Sequence, residues 1–178
     1  MESLKYFILY FFFASLATST VIAQEEEAIL WSPEYRLSWD DFKGAPPSIG
    51  SIAATTASGI SYYFSSTETN GKMEVDFTVR TYFYPQKSWY KPEICNAVIL
   101  SHEQLHFDIA EMFARKMRQQ LAVTRFSSNI KAEVREIYEQ INKELADFQR
   151  QYDRETDFSR YVAQQQAWNA AIKEELGY

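Results

Sequence analysis

Two histidines and a single cysteine stand in a chain of 178 residues, and each scarcity narrows what the protein can be. One thiol, Cys95, excludes an internal disulfide framework, and no cysteine near the N-terminus offers a lipid anchor. With no spare histidine to activate it, Cys95 is expected to be a core residue rather than a nucleophile. Five glycines and five prolines form no low-complexity linker, and neither an internal repeat nor a second domain is evident. Lys and Arg number 18 against 24 Asp and Glu, a net charge of −6 with no long basic stripe. Nucleic acid and anionic membrane surfaces are therefore not expected as the main ligand.

Apolar surface, by contrast, is plentiful. Hydrophobic residues make up 46% and aromatics 16%, with 13 Phe, 12 Tyr and 4 Trp, enough for one core. The first residues read as an export signal, with Lys5 as the positive region, an apolar run from Tyr6 to Leu16, and a small-residue cleavage stretch Val21-Ile22-Ala23 before Gln24. The expected organisation is a signal peptide over residues 1–23 and a single domain over 24–178. Such a protein is exported to the periplasm or beyond the cell, with no membrane span after cleavage. An uncleaved anchor is the alternative, because the apolar stretch to Ile22 falls only a little short of spanning length.

The pattern along the chain gives a β part followed by a helical part. Trp31 to Pro47 forms an irregular entry segment, in which Leu37-Ser38-Trp39-Asp40-Asp41-Phe42-Lys43-Gly44 packs its Trp and Phe on the core. Ile60, Tyr62 and Phe64 alternate as on a strand, Asn70-Gly71 is a hairpin turn signal, and Val75, Phe77, Val79, Thr81 and Phe83 place one face inward. A first helix is expected from Pro92, with Glu93 in its first turn, to about Ala122. A second carries Ile130, Val134, Ile137, Ile141, Leu145, Phe148 and Tyr152 at helical spacing. A third spans Ser159 to Leu176, with Val162, Ala163, Ala170 and Leu176 on one side. The fold class is α+β, an N-terminal antiparallel sheet packed on C-terminal helices.

Both histidines sit in one string, His102-Glu103-Gln104-Leu105-His106, inside the first helix. A helix turns about 100° per residue, so residues four apart share a face and can aim two imidazoles at one ion. The chemistry needs these types, because neutral imidazoles bind Zn²⁺ and the intervening carboxylate accepts a proton from water that the metal has acidified. This is the zinc-peptidase signature. By chance alone it should arise in about one of a few hundred chains of this length, so its context matters.

With His102 at zero, Asp108 falls near ~240° and Glu111 near ~180°, so neither acid faces a metal held by His102 and His106. Both are more simply paired with Arg115, Lys116 or a loop. A third ligand must come from elsewhere and must be oxygen, or Cys95. Glu144, Asp153, Glu155 and Asp157 are all within reach if the first two helices fold back antiparallel, and Asp157 can alternatively cap the third helix.

Four segments together resemble a bacterial domain-of-unknown-function family predicted to be secreted Zn-dependent proteases, zincin-like around the metal helix. They are Leu37 to Gly44, Ser88-Trp89, the string from His102 to Glu111 with Ala114-Arg115, and Tyr152-Asp153-Arg154-Glu155-Thr156. The resemblance implies an exported metallopeptidase with one zinc per chain, His102 and His106 as ligands, Glu103 as general base, and a peptide or protein as substrate. The family pattern then implies a histidine at the position of Phe158. In its absence Asp157 is the expected third ligand; the alternatives are a catalytically silent scaffold and a metal-binding protein without peptidase activity. Tyr152 or an arginine is the candidate donor to the oxyanion.

Overall fold

The hairpin expected around Asn70-Gly71 forms the longest strand pair among the described residues. In the computed structural model, which describes residues 27–70 and 72–178 with only the backbone at Lys72, β3 (Ser58–Thr69) and β4 (Lys72–Phe83) run antiparallel from Ser58↔Phe83 to Thr69↔Lys72. The two-residue connection puts Asn70 at φ 51°, a left-handed conformation that asparagine tolerates. Period-two alternation turns Ile60, Val79, Thr81 and Phe83 inward to burial. β1 (Ile29–Leu30) pairs with the far edge of β4, giving the order β1-β4-β3. The expected signal peptide, residues 1–23, lies outside the described residues.

A second, two-stranded sheet joins β2 (Ala54–Thr55) to β5 (Trp89–Tyr90). It is held by Ser88, fully buried, whose Oγ donates to the Tyr84 carbonyl and accepts from the Ala57 amide, each at 2.9 Å. The entry segment braces the same region. Leu37, Phe42, Phe83 and Phe107 form a small aromatic-rich cluster, and Trp39 stacks on Tyr90 with centroids 4.6 Å apart. Gly44 allows the close approach, since a Cβ there would fall 2.8 Å from the Ser88 carbonyl oxygen and 2.9 Å from that of Gln86.

Three helices follow: α1 (Ala97–Val123), α2 (Ile130–Glu155) and α3 (Val162–Leu176). α1 starts five residues later than Pro92 suggested, because the Asn96 side chain accepts from the Val98 and Ile99 amides at 2.9 and 3.1 Å and so makes the N-cap. The sheet, α2 and α3 all contact α1. Its Phe107, Ile109, Ala110, Ala114 and Met117 are at most 1% exposed. α2 supplies Val134, Ile137, Ile141, Leu145 and Tyr152 to the core, as its periodicity predicts. The buried face of α3 differs from the expected one. It is Gln165, Trp168, Ile172 and Leu176, whereas Val162, Ala163 and Ala170 are exposed. Burial of Trp168 and Ile172 outweighs that of three small side chains, and it rotates the helix accordingly.

The two acids excluded from metal binding by helical geometry are structural. Asp108 accepts from Trp31 Nε1 and Gln104 Nε2, both at 2.9 Å. Glu111 accepts from Thr81 Oγ1 at 2.8 Å and is paired with Arg115 and Arg118. Lys116 pairs with Glu144 instead. No described helix is long and apolar enough to cross a membrane.

Candidate metal centre

One turn of α1 separates His102 from His106, and the Tyr152 ring fixes both rings from the side. His102 stacks on that ring at 4.4 Å between centroids, and His106 meets it edge-on at 5.1 Å. The next residue of α2, Asp153, completes a triangle. Its Oδ1 lies 3.1 Å from His102 Nε2 and 3.0 Å from His106 Nε2, and the two nitrogens are 3.3 Å apart. Two ligand atoms on a tetrahedral zinc, each at ~2.0–2.1 Å, are separated by about 3.3 Å, so the three corners have the spacing a zinc ion requires. The donor set is also chemically apt, because two imidazole lone pairs and a carboxylate satisfy one dication together, whereas among themselves they must share protons.

The electrostatics of Asp153 follow from this placement. Burial pushes its carboxyl up, but when the His102 and His106 rings are protonated, their hydrogen bonds and charge outweigh that and hold it well below the usual carboxylate range.

His102 has a second anchor. Its Nδ1 donates to Gln165 Oε1 at 2.9 Å, which leaves Nε2 directed at the triangle. On the other side, the Gln149 amide donates to the His106 carbonyl at 3.2 Å and ties α2 to α1. Glu103, 5% exposed, lines the cleft beside the triangle, and its carbonyl accepts from Thr56 Oγ1 at 3.1 Å. The cleft has a volume of about 520 Å³. Residues 51–56, which include β2, also line it, as do Phe158 and Arg160.

Several expectations about site residues change. Asp157, the expected third ligand, is not in the triangle; it pairs with Arg160 at 3.2 Å. α2 runs on through Glu155, so Asp153 in its last turn faces the histidines. A left-handed turn, with positive φ at Asp157, Phe158 and Ser159, carries the chain away immediately afterwards. Glu155 accepts from Trp168 Nε1 at 2.9 Å and Glu144 binds Lys116, so neither of them joins the site. The Tyr152 hydroxyl is not an oxyanion donor at the cleft. It is fully buried and donates to Gln165 Oε1 at 2.8 Å. Cys95 is only half-buried, its thiol donates to the Ala53 carbonyl at 3.3 Å, and burial pushes its ionisation up.

A family model described as bacterial protein of unknown function (DUF922) matches residues 48–160. The chain belongs to this family. The DUF922 match runs from the loop before β2 to the left-handed turn after α2, and therefore takes in every residue that lines the cleft. β1, the entry segment and α3 fall outside it. No curated protein and no solved structure matches the chain.

Gln165, Gln149 and the β2 wall were not legible as site residues in the sequence. Gln165 is the middle residue of Gln164-Gln165-Gln166, and its one distinguishing signal is spacing. It lies three residues before Trp168 and seven before Ile172, on the buried stripe of α3.

Proposed function

We propose that this protein is an exported zinc-dependent peptidase in which His102, His106 and Asp153 hold the metal and Glu103 is the general base. The observation that carries the proposal is the triangle of two Nε2 atoms and one carboxylate oxygen, 3.0 to 3.3 Å on a side, with Glu103 next to it in a cleft. Zinc held there would polarise a scissile carbonyl and acidify a water molecule. Glu103 removes the proton from the attacking water and delivers it to the leaving amine. The free edge of β2 receives the substrate as an added strand, its backbone orienting an extended peptide across the cleft. The β3–β4 hairpin does not line the cleft. With the Tyr152 hydroxyl engaged elsewhere, Arg160 is the donor we assign to the developing oxyanion. An oxygen ligand in the third corner supports this reading over a silent scaffold, for which Phe158 in place of a histidine was the reason. Export rests on Lys5, the apolar run after it and the small-residue stretch before Gln24.

The test is a Glu103→Gln variant assayed for both zinc content and hydrolysis of labelled casein. The variant should keep about one zinc per chain while cleavage falls by ~10²-fold or more. Unchanged cleavage would reject Glu103 as the base, and a wild-type chain that takes up no added zinc would reject the peptidase altogether.

A further inference from the structure

α3 lies outside the matched family span, yet it reaches the metal centre through one side chain. Gln165 is 2% exposed, in a helix whose other buried residues are apolar. Burying an amide without partners costs roughly 1–3 kcal/mol, so its surroundings should show what retains it. They form a directional chain. Gln165 Oε1 accepts from His102 Nδ1 at 2.9 Å and from the Tyr152 hydroxyl at 2.8 Å, which uses both carbonyl lone pairs. Gln165 Nε2 donates to Asn169 Oδ1 at 2.9 Å, and Asn169 Nδ2 donates to Ser101 Oγ at 2.8 Å. In this orientation Oε1 faces His102, and Nε2 is left to donate to Asn169.

That orientation has a consequence for the ring. A carbonyl can only accept, so His102 must carry a proton on Nδ1, and its lone pair is then on Nε2, facing Asp153 and His106. With the amide reversed, an N–H would face Nδ1 and favour the opposite tautomer, whose Nε2–H cannot bind a metal. Tyr152 reinforces the arrangement: the ring stacked on His102 sends its hydroxyl to the same Gln165 oxygen.

From this we infer that Gln165 is a positioning residue of the metal centre: it fixes the tautomer and the orientation of His102, with Asn169 and Ser101 holding its amide in place. The inference rests on the zinc reading of the site and assigns α3 a part in it. A glutamine that only filled space would be replaceable by an apolar side chain of equal length at no cost to the metal.

The experiment measures zinc affinity by competition with a chromophoric chelator in the full mature chain, as wild type, Gln165→Met and Gln165→Glu. The tautomer of the His102 ring is read by ¹⁵N NMR of the zinc-loaded proteins. Gln165→Met should bind zinc about 10- to 100-fold more weakly and lose the protected Nδ1–H signal. Gln165→Glu, which still offers an acceptor to Nδ1–H, should return to within about threefold of wild type. Wild-type affinity and an unchanged Nδ1–H signal in Gln165→Met would overturn the inference while leaving the zinc site standing. No zinc binding by wild type would instead defeat the functional reading beneath it. If Gln165→Met does not fold, Asn169→Ala decides, since it keeps Gln165 and frees its amide. Zinc weakened about threefold or more supports the inference; wild-type affinity overturns it.

Discussion

Asp153 and Asp157 are four residues apart, and the structure gives them opposite fates, so exchanging each separately is a direct test of the ligand set. Asp153→Ala removes one corner of the triangle without disturbing α2, because alanine is the best helix former. Structural zinc sites bind with ~10–16 kcal/mol across four ligands, so one ligand is worth about 3 kcal/mol, or roughly a hundredfold in Kd. At zinc equal to 100 times the wild-type Kd, the ion stabilises wild type by ~2.7 kcal/mol and the variant by only ~0.4 kcal/mol. For a domain of this size the difference is about 5–9 °C in the zinc-induced rise of Tm. Asp157→Asn is the control, since asparagine accepts the left-handed φ of 45° and only the exposed pair with Arg160 is lost. It should bind zinc as wild type does. Chelator competition and calorimetric melting with and without zinc give both quantities. Weakened zinc in Asp157→Asn with full affinity in Asp153→Ala would refute the assignment, and full affinity in both would place the ion elsewhere.

Four further outcomes follow from the packing and the electrostatics. Gly44→Ala puts a methyl group 2.8 Å from the Ser88 carbonyl oxygen, a backbone atom that cannot swing aside, and should cost about 1–3 kcal/mol in urea unfolding. Thr81→Val removes the buried donor to Glu111 but leaves Arg115 and Arg118, for a loss of ~1–3 kcal/mol by the same measurement. Met117→Ala, at a site 0% exposed on α1, should cost ~2–5 kcal/mol and lower Tm by more than either. Burial, followed by the hydrogen bond to Asp41 and its charge, pushes the Tyr35 phenol up to about 12. Because its folded value lies above the unfolded 10.0, the stability it contributes is whole below pH 10 and is lost as pH rises through about 12. Absorbance titration of Tyr35→Phe should lack one late-ionising phenol.

The sequence made legible whatever depended on period and reach. The β3–β4 hairpin, the apolar stripe of α2, the shared face of His102 and His106, and the exclusion of Asp108 and Glu111 all follow from residue spacing within one element, and all four agree with the structure. What crossed between elements was less legible. Periodicity identified Asp153 as one of four acids within reach, but choosing among them required the point where α2 stops. That stop is a left-handed turn built from Asp157, Phe158 and Ser159, none of them a glycine that would have marked it. The face of α3 was misjudged for a related reason. Alanine and valine spacing suggested one stripe, whereas a buried glutamine with three side-chain polar contacts belongs to the other. A polar residue can earn a buried position only through partners, and partners on other elements leave no trace in local spacing.

The buried polar residues of α1 make the same point about function. Asp108 and Glu111 are deep in the protein, each saturated by donors from the entry segment, the sheet or neighbouring arginines. These partners account for their burial, and both read as scaffold. His102, Glu103 and His106 lie on the same helix but border a cleft. His102 has its outward nitrogen engaged by Gln165, while its inward nitrogen and that of His106 converge on one carboxylate oxygen. Two basic nitrogens directed at one another across 3.3 Å are repulsive unless a proton or a cation lies between them. A fold that needed only stability could replace all three with apolar side chains of similar volume at little cost. Under the peptidase proposal, metal binding would account for the convergence of His102, His106 and Asp153, and Glu103, which lines the same cleft, would be the base.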